Sequence, residues 1–258
     1  IARSERGIVA VILKDNSNTT KTAVYTKESE IVKSHYTATN LAYLSLVFMG
    51  GPSKVIVERV QTSDNISDAL ERLKNKRWYY LAVPGLGDGE TDTVVEYIKE
   101  QRTQYHKTFK AILPLAAADN EGIVNFATDN IKIAAKTYTT AEFCCRIAGI
   151  LAGLPLNRSS TYYTLPEIES ITESETPDDD VDNGKLILIN DGTKIKIARG
   201  VNSLTTATAD KGDDFKKIKI IEAVDMIRDD IRATFEDEFV GKVENSYDNK
   251  IVFIAAVN

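Results

Sequence analysis

The sequence predicts a mixed α/β (α+β) fold: a central sheet covered by helices, an N-terminal β-rich piece and a C-terminal hairpin followed by a helix. Three observations predict it. Strand-like and helix-like segments alternate from Lys54 to Leu115, a hairpin pattern spans residues 186–197, and a long helical pattern follows that hairpin. A chain of 258 residues can form one large domain or two modest ones, each with its own core.

The N-terminal piece contains two short predicted strands and one helix. Gly7 to Leu13 and Ala23 to Thr26 are apolar segments on either side of a polar loop, which is typical of strands. Thr39 to Met49 is apolar nearly all round and is followed by Gly50-Gly51-Pro52, so it predicts a buried helix with a clear end.

The central segments are joined by short links. Such an alternation of strands and helices favours a parallel sheet with helices packed on it. The predicted elements are a strand over Lys54–Val60, a helix over Ser63–Lys74, a strand over Trp78–Gly85, a helix over Asp92–Tyr105 and a strand over Phe109–Leu115.

A second hairpin and another helix are predicted next. Gly122 to Phe126 and Ile131 to Ala134 flank a turn-like Thr-Asp-Asn and read as two paired strands. Thr139 or Thr140 is placed to cap a helix that runs to Leu154. Gly149 and Gly153 lie four residues apart on it and predict close packing on a neighbouring element.

The stretch 167–182 has eight acidic residues in sixteen and no basic one. A calcium loop would need an Asp-x-Asp-x-Asp-Gly order with a final Glu, and neither is present. We therefore expect a solvated linker.

The C-terminal part begins with a hairpin. Leu186 to Ile189 and Lys194 to Ile197 are the strands, and Asp191-Gly192 supplies the tight turn. Apolar residues then recur at steps of three and four, which predicts one apolar stripe on a long helix: Ile221, Val224, Ile227, Ile231, Phe235 and Phe239. From these shifts in pattern we expect three units, at residues 1–61, 62–182 and 183–258.

Composition argues against several classes of partner. The formal net charge of −6 provides no diffuse positive field for nucleic acid or for an anionic membrane. No apolar run approaches the roughly 20 residues that cross a bilayer. Cys144 and Cys145 are adjacent in a predicted helix, so we expect packed, reduced thiols and a reducing compartment.

The turn Gly85 to Gly89 is the one place where a cofactor could be sought, because it follows a strand and precedes a helix. Glu90 stands where the dinucleotide fingerprint needs its third glycine, and the carboxylates of Asp88, Glu90 and Asp92 would repel a pyrophosphate. A flexible connection is favoured, and a nucleotide-binding protein or enzyme that uses this turn is the alternative.

Other catalytic patterns are missing from the sequence. His35 and His106 have no Cys or second His at ligand spacing, and no Gly-x-Ser-x-Gly elbow occurs. We therefore expect no enzyme activity, no cofactor and no metal. Lys216, Lys217 and Lys219 form a basic cluster before the long helix, which is either a docking patch for an acidic partner or a set of solubilising lysines.

Five runs stand out along the chain: GGPSKVIVERV at 50–60, YYLAVPG at 79–85, HKTFKAILP at 106–114, RIAGILAGLPL at 146–156, and ARGVNSLTT at 198–206 between the C-terminal hairpin and helix. Taken together and in order, they resemble the contractile tail sheath proteins of Gram-positive phages and of phage-tail-like bacteriocins. The runs cover most of the chain.

The resemblance implies a structural subunit, assembled in the bacterial cytoplasm into a phage or bacteriocin tail particle. Such subunits stack as hexameric discs around an inner tube, between a baseplate and a tail terminator, and shorten to drive the tube through an envelope. The basic cluster would then be a contact with the tube. The family's N- and C-terminal arms, which add strands to neighbouring subunits, would lie outside residues 1–258, so we expect the isolated chain to be an arm-less, monomeric fragment.

Overall fold

The computed structural model describes residues 7–87 and 89–257. Sequence features at residues 1–6, at Asp88 and at Asn258 lie outside the described residues. The strands, in chain order, are β1 (Ile8–Lys14), β2 (Thr22–Tyr25), β3 (Lys54–Val60), β4 (Tyr80–Ala82), β5 (Lys110–Pro114), β6 (Ile123–Phe126), β7 (Asp129–Ile133), β8 (Lys136–Tyr138), β9 (Ser170–Thr172), β10 (Lys185–Leu186), β11 (Leu188–Asn190) and β12 (Ile195–Ile197).

The helices complete the mixed α/β fold that the sequence predicts. They are α1 (Ala38–Phe48), α2 (Ser67–Leu73), α3 (Glu90–Thr103), α4 (Thr140–Gly153), α5 (Pro177–Asp182), α6 (Ile218–Glu238) and α7 (Tyr247–Val257). A 3-10 helix at Asp213–Lys216 precedes α6. The helix expected from Ser63 begins only at Ser67, and the strand expected over Trp78–Gly85 is limited to β4.

A seven-stranded sheet forms the centre of the fold, in the order β10-β6-β5-β4-β1-β3-β2. All its pairs are parallel except β2 with β3, so β2 is an antiparallel edge strand. Strand β1 is apolar without alternation and is buried along nearly its whole length, as expected of a strand in a sheet covered on both faces. The two edge strands are short, with four residues in β2 and two in β10.

The helices cover this sheet. Helix α4 packs on β1, β4 and β5, while α2 contacts β3 and α3 contacts β5. Thr139 begins α4 with a capping box, in which its hydroxyl accepts from the Glu142 N–H and the Glu142 carboxylate accepts from the Thr139 N–H. This confirms the predicted helix start.

Helices α1 and α4 touch through their backbones. A Cβ atom added to Gly149 would lie 2.1 Å from the Val47 carbonyl oxygen, and one added to Gly153 would lie 1.9 Å from the Gly50 oxygen. The close packing predicted for the two glycines is confirmed, because no side chain fits between these backbones.

The predicted hairpin over 122–134 is wrong. Strand β6 pairs with β5 and β10 in the large sheet, whereas β7 pairs with β8 and β9 in a separate three-stranded sheet. Asn130 has a φ of +52° inside β7, so the turn-like residues belong to an irregular strand rather than to a connection between two strands.

The acidic stretch 167–182 is also more ordered than the expected linker. Its residues 170–172 form β9, and its last residues form α5. Asp180 accepts hydrogen bonds from the Ser174 hydroxyl and from Lys185 Nζ, both at 2.6 Å. Most of its carboxylates are nevertheless exposed, as the charge run indicates.

Strands β11 and β12 form the predicted C-terminal hairpin. Gly192 has a φ of +90°, and Asp191 Oδ1 accepts from the backbone N–H groups of Thr193 and Lys194, so the turn has the expected chemistry. The first predicted strand is divided, because β10 joins the large sheet and β11 starts the hairpin.

The large sheet takes strands from all three predicted units. β1 to β3 come from residues 1–61, β4 to β6 from 62–182, and β10 from 183–258. The division into units at residues 61 and 182 stays a prediction.

The long helix α6 confirms the predicted helical period, but the apolar stripe does not face the core. Ile221 is buried, whereas Val224, Ile227 and Phe235 are 41%, 55% and 46% exposed. Helix α7 covers only the far end of the stripe, where Phe253 packs on Phe235 and Phe239. The side of α6 that faces the sheet carries acidic residues.

Candidate functional site

The basic cluster lies where the 3-10 helix passes into α6. Lys216 Nζ is 2.9 Å from Asp213 Oδ1, and Lys217 Nζ is 2.7 Å from Asp214 Oδ1. Lys219 donates to the Asn157 carbonyl at 3.2 Å. Each ammonium group therefore has a local partner, and nearby carboxylates reduce the positive potential of the cluster.

These three lysines line an open groove of about 1250 Å³. Asp178 and Asp182 of α5 line the same groove. Its floor includes apolar and glycine residues from the segment that precedes the 3-10 helix: Ala198, Gly200, Val201 and Leu204. A groove with both signs of charge suits a protein surface of mixed charge better than it suits a polyanion.

The backbone N–H of Gly87, just before α3, is bound by a side chain of the protein itself. Glu90 Oε2 accepts from the Gly87 N–H at 2.6 Å and from Lys14 Nζ at 2.8 Å. Burial opposes ionisation, but these hydrogen bonds and the Lys14 charge lower the pKa of Glu90 from its usual value. The anion position at the start of α3 thus holds the chain's own carboxylate, which leaves the nucleotide alternative without support.

Residues with catalytic potential do not converge in the described part of the chain. His35 ends a 3-10 helix, and His106 lies in an exposed loop with a φ of +55°. Cys144 and Cys145 are free and buried, and desolvation raises the pKa of both thiols. Among residues 7–87 and 89–257 there is no cluster of three metal-ligating side chains, and no helix is long and apolar enough to cross a bilayer.

A buried group of charges joins α6 to the large sheet, and none of the sequence predictions includes it. Arg102 of α3 donates from both terminal nitrogens to the two carboxylate oxygens of Asp225, each at 3.0 Å. Lys110 of β5 lies 2.9 Å from Asp225 and 3.1 Å from Glu222. We call Arg102, Lys110, Glu222 and Asp225 the ion cluster.

The ion cluster is buried except for Glu222, whose side chain is 19% exposed. Lys110 and Asp225 are each 1% exposed, and Tyr80 donates its hydroxyl to Glu222. Burial opposes the charge on Asp225, but Lys110 and Arg102 hold its pKa below the usual value. The sequence signal is a row of acids at helical spacing on α6, at positions 222, 225 and 229, on the side next to the apolar stripe.

The fold is similar to those of solved sheath proteins. The sheath tail protein of Desulfitobacterium hafniense has a similar structure, with a TM-score of 0.84 at 16% identity over 98% of this chain and 84% of that one. The helical sheath of the anti-feeding prophage, solved in its contracted state, matches with a TM-score of 0.75 at 11% identity, over 100% of this chain and 77% of that one. The fold is therefore that of sheath subunits from contractile particles.

Sequence comparison identifies the family. The phage tail sheath protein central domain matches residues 60–203, and the phage tail sheath C-terminal domain matches residues 210–258. The tail sheath protein of Clostridium phage phiCD119 is 38% identical over 267 aligned positions, which cover 100% of this chain and 74% of that protein. The chain belongs to the phage tail sheath protein family, which confirms the resemblance seen in the sequence.

Proposed function

We propose that this protein is a structural subunit of a contractile tail sheath, which polymerises around an inner tube and shortens to drive that tube through a bacterial envelope. The observation that carries the proposal is the match along the whole chain to a curated tail sheath protein. The similarity of its fold to a helical sheath in the contracted state supports it. Its location is then the tail particle, after assembly in the bacterial cytoplasm.

The protein acts by binding copies of itself in hexameric discs, with the tube inside and a baseplate and terminator at the ends. No catalytic step and no cofactor are part of this mechanism. The extended lattice is kinetically trapped, and the contracted lattice has larger contacts between subunits. The free-energy difference between these two states is sufficient to drive contraction. The occupied Gly85 to Gly89 turn is consistent with a process that does not need a nucleotide.

The test is co-expression of the full-length protein with its tube protein, followed by electron microscopy. We expect striated tubes that shorten when the baseplate is triggered. A full-length protein that stays monomeric with its tube protein present would contradict the proposal. The isolated 258-residue chain is expected to be monomeric at micromolar concentration, which light scattering checks.

We propose further that the groove at the basic cluster contacts the inner tube. Replacing Lys216, Lys217 and Lys219 by Gln is expected to lower the fraction of protein that sediments with preformed tubes at low salt, without changing its melting temperature. A matched control replaces three exposed lysines elsewhere, namely Lys27, Lys33 and Lys194. Equal loss of binding in both variants would indicate a general charge effect and would remove the groove from the contact.

A further inference from the structure

The ion cluster spans the boundary between the two family domains. Arg102 and Lys110 lie in the part that matches the central domain, and Glu222 and Asp225 lie in the part that matches the C-terminal domain. A more peripheral pair, Lys211 with Glu121 at 2.8 Å, crosses the same boundary with the opposite polarity. The central domain therefore contributes two cations and one anion to these contacts, and the C-terminal domain contributes two anions and one cation.

Beyond its first turn, α6 has no fully buried apolar residue at this junction. The buried apolar residues of α6 are Ile218 and Ile221, both at its start, and the third buried residue is Asp225. Further along, Asp229 accepts a hydrogen bond from the Thr108 hydroxyl at 2.9 Å, and the half-buried Met226 lies beside Leu154 and Pro155. Beyond Ile221, the apolar stripe is largely exposed, with Val224, Ile227 and Phe235 at 41%, 55% and 46%.

Apolar contacts and charged hydrogen bonds restrain the orientation of α6 differently. Apolar burial is non-directional and tolerates sliding. A guanidinium that donates two parallel hydrogen bonds to one carboxylate fixes both distance and plane. Lys110 lies between Asp225 and Glu222 and so holds two positions, one turn apart, on the same face of α6.

We propose that the ion cluster is the joint that sets the angle of α6, and with it the C-terminal domain, on the central domain. Its members are positioning residues: they select one orientation rather than adding much to stability, because buried ion pairs incur desolvation that offsets much of their attraction. The inference concerns the folded chain by itself. Only its consequence, that the angle sets how subunits meet in a sheath, rests on the proposed function.

The angle can be measured with two spin labels and double electron–electron resonance. Asp237→Cys on α6 and Glu96→Cys on α3 provide exposed sites, while the native Cys144 and Cys145 are buried and escape labelling. Position 237 lies twelve residues beyond Asp225, about 18 Å along the helix, so a tilt of about 20° at the joint displaces the label by roughly 6 Å. We expect one narrow distance distribution for the otherwise unchanged protein.

The decisive variant replaces charges by apolar groups of similar size: Arg102→Met, Lys110→Met and Asp225→Leu together. We expect it to fold, with a melting temperature within about 5 °C of the parent, and to give a distribution that is shifted or at least twice as broad. Glu236→Gln, an exposed change on the same helix, is the matched control and should leave the distribution unchanged. A folded triple variant that keeps the parent's narrow distribution would overturn the proposal.

Two further measurements keep the proposal testable if the triple variant does not fold. Asp225→Asn alone should broaden the same distribution, and an unchanged distribution would again overturn the proposal. In the unaltered protein, the hydrogen-exchange protection factors of the amides of residues 222–229 should be within about tenfold of those in β5. This is expected because the joint makes α6 and β5 one cooperative unit. Much faster exchange in α6 would show that the ion cluster does not couple the two domains. These outcomes do not depend on whether sheaths form.

Discussion

Substitution of Gly149 by Ala tests the backbone contact between α1 and α4. The added methyl carbon would lie 2.1 Å from the Val47 carbonyl oxygen and 2.9 Å from its carbonyl carbon, well inside van der Waals contact. The atoms it meets are backbone atoms of a buried helix, so no side-chain rotation relieves the clash. The helices would have to separate by about 1 Å.

Two effects of opposite sign determine the change in the free energy of unfolding. Overpacking a core typically costs 1–3 kcal/mol, and a clash between two backbones belongs at the upper end, at about 3 kcal/mol. Alanine is better than glycine inside a helix by about 1 kcal/mol, which offsets part of that loss. The net loss is about 2 kcal/mol, which corresponds to a fall in Tm of about 4–8 °C for a chain of this size.

Thermal and urea unfolding followed by circular dichroism measure this loss. Gly85→Ala and Gly212→Ala are matched controls, because a Cβ at either position meets nothing within 4 Å and neither has a positive φ. Both controls should stay within about 0.5 kcal/mol of the parent protein. A Gly149→Ala protein that is as stable as the parent, or more stable, would refute the reasoning from the helix contact.

Two other predictions concern single buried groups. Cys144 and Cys145 should not react with a thiol reagent until the protein unfolds, because both are buried and desolvation raises their pKa; rapid modification in native buffer would contradict this. Asp15 has its pKa lowered to about 2: burial opposes this, but hydrogen bonds from the Asn40 side chain and the Thr37 N–H outweigh it. Because the pKa of Asp15 is lower in the folded protein, its carboxylate stabilises the fold at pH values above the unfolded pKa of 3.8, and this contribution is lost as the pH falls towards 2. The difference in stability between the parent and Asp15→Asn should therefore shrink between about pH 4 and pH 2. A difference that does not change with pH would show that the carboxylate charge is not what stabilises this loop.

Local patterns were sufficient for most elements, because their causes lie close together in the chain. A continuous apolar run predicts β1, and a threonine at 139 or 140 marks the start of α4. The Asp191-Gly192 turn identified the C-terminal hairpin. In each case a few neighbouring residues determine the local conformation.

What the local patterns do not determine depends on partners that are distant in sequence. The pattern of 122–134 showed two strands but could not show that β6 pairs with β5 and β10 while β7 pairs with β9, about forty residues further on. The helical period of α6 was read correctly, but the side that faces the core depends on Arg102, which lies 123 residues from Asp225. Hydrophobic pattern alone assigns the apolar side inward, and here buried charge pairs override it.

The two edge strands of the large sheet also bear on how copies of this protein can meet. Because β2 has four residues and β10 has two, each edge of the sheet offers only a few unpaired backbone groups to an incoming strand. Strand-by-strand growth of this sheet from molecule to molecule is therefore disfavoured. In a protein that we propose to polymerise only during tail assembly, such short edge strands disfavour uncontrolled pairing between the bodies of neighbouring subunits.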